Sequence, residues 1–153
     1  MRILLLCLIL PLAAVTRGAD ASVDPQLMRW IGKPWPPAGA VTPDTSLGKG
    51  RWVVLIYDPS CGHCQSMAAD YADLAHTWKA HDRLIRVALI DADPDSSIRK
   101  DWPENDVLAA ILNSGTELPV PVVLILDAGK IVAAREGWEP IDWGSPSFAR
   151  WIR

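Results

Sequence analysis

An apolar run, Trp52 to Tyr57, leads through a short turn into Cys61-Gly62-His63-Cys64, and a second apolar run follows at Leu84 to Ile90. Between the two runs, Met67, Tyr71, Leu74, Ala75 and Trp78 recur at three- and four-residue steps, the stripe of an amphipathic helix reaching from about Cys61 to about Ala80. Strand, helix and strand at that spacing form a βαβ unit, whose crossover is right-handed in nearly all cases. Continuous rather than alternating apolar runs suit strands of a sheet covered on both faces. The arrangement therefore predicts an α/β fold that delivers two cysteines to the start of a helix.

That location gives the cysteines a chemistry. The first turn of a helix has unpaired N–H groups and the positive end of the dipole, both of which favour an anion. The thiolate is the reactive form of cysteine, so Cys61 at such a place attacks disulfides near neutral pH. Cys64, one turn on, closes the pair as a Cys61–Cys64 disulfide or releases a mixed disulfide.

Two other readings of the pair compete. A disulfide across so short a loop constrains little of the unfolded chain and makes a poor staple. A zinc site needs about four ligands, and there is no second CxxC; His76 and His81 lie downstream at helical spacing, within reach only by distorting the helix. No metal and no cofactor are therefore expected.

The first residues read as a targeting segment. Arg2 precedes an apolar stretch from Ile3 to Leu12, and Ala19-Asp20-Ala21 fits a signal-peptide cleavage pattern, placing residues 1–21 outside the mature fold. The competing reading is an uncleaved N-terminal anchor, which would be the chain's contact with a membrane. Loss of the segment removes Arg2, Arg17, Asp20 and Cys7, moves the formal charge from −3 to −4 and leaves the two motif cysteines. The acidic balance and the lack of a basic run argue against a nucleic-acid partner.

Residues 22–50 form a leader rich in proline, with Pro25, Pro34, Pro36, Pro37 and Pro43. A helical turn over Gln26 to Ile31 cannot continue through Lys33 to Pro37, so the leader is expected to lay Trp30 and Trp35 on the domain. Within the domain, residues 51–153, Asp95 to Asn105 reads as a loop with a helical start near Pro103 or Glu104. Val107, Leu108, Ile111 and Leu112 predict a second amphipathic helix stopped at Gly115. Val120 to Leu126 predicts a third strand, and Asp127-Ala128-Gly129-Lys130 a turn returning Ile131 to Arg135 as its antiparallel partner. A short tail helix is expected over Ser147 to Ile152.

From about Arg51 onward this order resembles the thioredoxin fold. Tyr57-Asp58-Pro59-Ser60-Cys61-Gly62-His63-Cys64 looks like the active-site turn of protein disulfide isomerase, whose redox domains carry the same Cys-Gly-His-Cys. Ile90-Asp91-Ala92-Asp93-Pro94 resembles the end of the strand after the active-site helix. Leu118-Pro119-Val120-Pro121 sits where that family has its cis-proline loop, and Val122 to Gly137 is similar to the family's terminal hairpin. The resemblance implies a thioredoxin-like fold with a central mixed sheet, a βαβ unit plus C-terminal hairpin, flanked by helices. It also implies substrate proteins bearing thiols or disulfides, a separate redox partner, and Val120 with Pro121 presenting backbone to an extended substrate chain.

Further details bear on direction. An imidazolium at His63 would stabilise the Cys61 thiolate and make the pair more oxidising. On the family scale thioredoxin lies near about −270 mV, the isomerase near about −180 mV and DsbA near about −120 mV; Val120 before the proline also resembles DsbA. Three positions depart from the pattern: Leu55 stands where the family buries an acid, Val87 at its partner lysine, and Ser60 at the tryptophan before the first cysteine. Asp58, in the turn, is expected to face solvent. The readings are an exported, periplasmic oxidoreductase that oxidises or isomerises, a reductase resembling the TlpA and CcmG group, and a redox-inactive binding module.

Overall fold

A computed structural model describes residues 25–35, 39–42, 47–81, 84–95, 106–113 and 119–137. The expected targeting segment, the helical start near Pro103, the stop at Gly115 and the tail helix lie outside them. In chain order the elements are α1 (Pro25–Met28), β1 (Val41–Thr42), β2 (Arg51–Tyr57), α2 (Gly62–Ala80), β3 (Ile85–Asp91), β4 (Val107–Leu112), β5 (Val122–Asp127) and β6 (Lys130–Glu136).

The strands form one mixed sheet in the order β1-β4-β3-β2-β5-β6. β2, β3 and β4 run parallel, while β5 lies antiparallel to β2, β6 to β5 and β1 to β4. Strand alternation splits the core in two. Trp52, Val54 and Ile56 of β2 face one layer, and Val53, Leu55 and Tyr57 face the other with Cys64, Ala68, Tyr71, Ala75 and Trp78 of α2. Of the stripe read from the sequence, Tyr71, Ala75 and Trp78 are buried and Met67 and Leu74 pack partly buried against the same layer, while Cys64, Ala68 and Ala72 complete the buried face. Of the flanking helices expected, α2 is the one long helix among the described residues.

The expected helix over Val107 to Leu112 is instead β4, paired in parallel with β3 from Val87↔Val107 to Asp91↔Ile111. A short apolar run has no periodicity that separates helix from strand, and Ala109 and Ala110 are good helix formers. Tertiary pairing decides. The far edge of β3 is buried and its backbone groups need a partner, which β4 supplies.

The leader is laced to the hairpin at the opposite edge. Gly32 N–H donates to the Ile131 carbonyl at 2.7 Å, Ile131 N–H to Lys33 at 3.0 Å, and Trp35 N–H to Gly129 at 2.8 Å. Leu27, Trp35 and Leu47 are buried in the layer opposite α2. The hairpin turn has positive φ at both central residues, Ala128 at 48° and Gly129 at 78°, the twist that suits a two-residue connection. A Cβ on Gly129 would also meet Gly48 Cα at 2.8 Å, so the leader closes directly onto the turn.

Candidate active site

The parallel strands β2 and β3 end together, Tyr57 opposite Asp91, and the turn to α2 starts there. Asp58 Oδ1 accepts hydrogen bonds from Ser60 N–H at 2.8 Å and Ser60 Oγ at 2.7 Å, an Asx turn. Cys61 N–H donates to the Asp58 carbonyl at 3.2 Å. Gln65 Nε2 donates to the Pro59 carbonyl at 2.5 Å, tying the turn to the helix it feeds.

Cys61 is the N-cap of α2, in extended conformation at φ −90° and ψ 114°. Its sulfur accepts from the Cys64 N–H at 3.4 Å, as an N-cap side chain does. Its carbonyl accepts from Gln65 N–H at 3.0 Å. Cys61 is partly exposed and Cys64 is buried at 1%, and both are free thiols in the structure.

The two thiols are set apart chemically. Hydrogen bonding from the Cys64 side chain, then from the Cys64 and His63 backbone N–H groups, lowers the Cys61 pKa, while partial burial and the Asp58 charge oppose this. Burial, followed by the hydrogen bond to Cys61, pushes Cys64 up to about 11. His63 is exposed on the first turn of α2, and its backbone N–H is a stabiliser of the Cys61 thiolate that residue type alone does not reveal.

The Val120–Pro121 peptide bond is cis. The Pro121 carbonyl accepts from Gly137 N–H at 2.8 Å. A Cβ on Gly137 would come within 2.9 Å of Pro121 Cβ and 3.0 Å of Met67 Cε, so the proline loop, the end of β6 and α2 meet at this glycine. In the sequence Gly137 is only the last residue of the expected hairpin; in the fold its lack of a Cβ leaves room for Pro121.

In the sequence Asp91 is only part of a strand end. It is 1% exposed, its Oδ1 accepts from Asp93 N–H at 2.8 Å, and its Oδ2 is buried without a partner. By alternation it shares the face of Val87 and Leu89, the α2 side where Leu55 leaves β2 without an acid.

A family model for thioredoxin matches residues 44–104. The chain is 45% identical over 47 residues to a protein disulfide-isomerase A6 homolog of Drosophila melanogaster, covering 31% of this chain and 10% of that protein. It is 38% identical over 50 residues to a protein disulfide-isomerase of Oryctolagus cuniculus, 33% of this chain and 10% of that one. The chain thus spans about a tenth of the length of these curated relatives. A Chlorobium tepidum structure designated thiol:disulfide interchange protein DsbE superposes with a TM-score of 0.50 at 15% identity, over 69% of this chain and 79% of that one.

Proposed function

We propose that this chain is a thioredoxin-like thiol-disulfide oxidoreductase in which Cys61 is the nucleophile and Cys64 the resolving thiol. The observation that carries this reading is the contrast between two thiols three residues apart: one partly exposed at a helix N-cap and lowered, the other buried and raised to about 11.

In the reducing direction the Cys61 thiolate attacks one sulfur of a substrate disulfide, and the other leaves as a thiolate that takes up a proton. The Cys64 thiol then loses its proton and attacks the Cys61 sulfur, releasing the second substrate thiol. Two electrons pass to the substrate and the pair ends as a disulfide; oxidation of a substrate dithiol is the reverse. Val120 and Pro121 would line the groove, with Val120 backbone groups pairing to an extended substrate segment.

The substrates are proteins bearing thiols or disulfides, and a second redox protein would restore the pair. The basic-then-apolar start and Ala19-Asp20-Ala21 support export, to a periplasm where disulfide chemistry operates. Among the described residues no helix is long and apolar enough to cross a membrane. Cys-Gly-His-Cys, shared with protein disulfide isomerase, supports oxidation or isomerisation. A reductase like the TlpA and CcmG group is the second reading, favoured by the leader laced onto β6 ahead of the β2–α2 unit.

Trapping tests the assignment. Cys64→Ala should accumulate mixed disulfides with substrate proteins, resolved by non-reducing electrophoresis, and Cys61→Ala should accumulate few. Equal trapping by both variants would remove the distinction on which the reading stands.

A further inference from the structure

The turn before Cys61 carries a fixed negative charge. Asp58 Oδ1 is held by both the N–H and the hydroxyl of Ser60, the residue adjacent to Cys61. The Asp58 carbonyl in turn receives the Cys61 N–H at 3.2 Å. Gln65 locks the intervening Pro59 to α2. The carboxylate is therefore not a freely rotating surface group; it is tied to the entrance that any disulfide must approach.

We propose that Asp58, pinned by Ser60, is a charge-setting residue of this dithiol site, opposing the Cys61 thiolate and selecting disulfides flanked by positive charge over anionic ones. The inference rests on the oxidoreductase reading and adds the substrate class to it. Ser60 takes the position where the resemblance would put tryptophan, so the device follows from this chain's departure from the pattern.

Electrostatics agrees with the geometry. The Ser60 hydrogen bonds hold the Asp58 carboxyl below its usual range, so it is charged at neutral pH. That charge works against ionisation of Cys61 and of Cys64. Like charge disfavours the thiolate and hence the reduced form, making the pair more reducing than the helix N-terminus alone would. During attack the leaving sulfur also gains negative charge, so a neighbouring cation on the substrate offsets Asp58 and an anion adds to the repulsion.

The test is the rate at which the reduced full-length protein reacts with cystamine, a dication, and with oxidised glutathione, an anion. In both, Cys61 forms a mixed disulfide and Cys64 displaces the second small thiol, so two electrons move per disulfide. Asp58→Asn keeps an acceptor for Ser60 and removes the charge. It should lower the cystamine-to-glutathione rate ratio about threefold, the size of exposed charge effects. It should also raise the potential by about 14 mV, threefold in the equilibrium constant at 29.6 mV per tenfold. About 0.5 M salt should shift the wild-type ratio the same way and shift the Asp58→Asn ratio less, because the Cys61 thiolate still tells a dication from an anion while the Asp58 share of the salt effect is gone. A ratio unchanged in Asp58→Asn, or insensitive to salt in the wild type, overturns the proposal while leaving the oxidoreductase reading in place. A reduced protein that reacts with neither disulfide faster than a free thiol overturns both.

Discussion

The backbone N–H of Cys64 points at the sulfur of Cys61 across 3.4 Å. One helical turn thereby makes its own two thiols unequal. Cys61 gains donors from the start of α2, while Cys64 is enclosed by the apolar layer that α2 forms with β2 and β3.

The pH dependence follows with a definite sign. A lowered pKa keeps the Cys61 thiolate populated where an ordinary thiol, near 9.0, is protonated. Its alkylation by iodoacetamide should therefore fall only as pH drops through that lowered value. Cys64, pushed up to about 11, should stay unmodified through neutral pH and react only as pH approaches that value. Peptide mapping across a pH series checks both. In Cys64→Ala the largest stabiliser of the Cys61 thiolate is gone, and the Cys61 profile should move to higher pH.

We propose that His63 tunes the pair through its imidazole as well as its backbone N–H, and substitution separates the two. His63→Ala removes the imidazole and keeps the N–H that stabilises Cys61; His63→Pro removes both. The potential should fall in each variant and fall further in His63→Pro, by about 30 mV or more, equivalent to about 1.4 kcal/mol. Glutathione titration of the two variants is the measurement. An unchanged potential in both means that His63 does not tune the site.

Gly137→Ala should act on the proposed Val120–Pro121 groove and not on the thiols. The added Cβ would press on Pro121 at 2.9 Å and on Met67 at 3.0 Å, an overpacking that costs about 1–3 kcal/mol. Denaturant melting should show that loss. Turnover of protein substrates should drop several-fold while Cys61 alkylation by a small reagent is preserved. A variant with wild-type stability and turnover would show that the Gly137–Pro121 contact yields without consequence.

Much of this was legible because the informative residues are local. The runs 52–57 and 84–90, the α2 stripe and Asp127-Ala128-Gly129-Lys130 each declare their structure over a few positions. β4 was not legible, since Val107 to Leu112 carries a pattern open to either element and the decision belongs to the edge of β3, far away in sequence. The site divides the same way. Cys61 and Cys64 announce themselves by type and spacing, and Pro121 through the resemblance of its loop, whereas the His63 N–H, the pinning of Asp58 by Ser60 and the Gly137 approach depend on backbone direction. Asp91 ends a β-strand like many acids, and only the sheet shows that its Oδ2 is buried without a partner.

The equilibrium of the Cys61–Cys64 pair against glutathione tests the central claim most directly. Reversible closure of the two thiols should appear as one two-electron transition, at a potential above the roughly −270 mV of thioredoxin. A pair that never closes, or one that resists reduction down to about −300 mV as structural disulfides do, would contradict the assignment of this site to disulfide exchange.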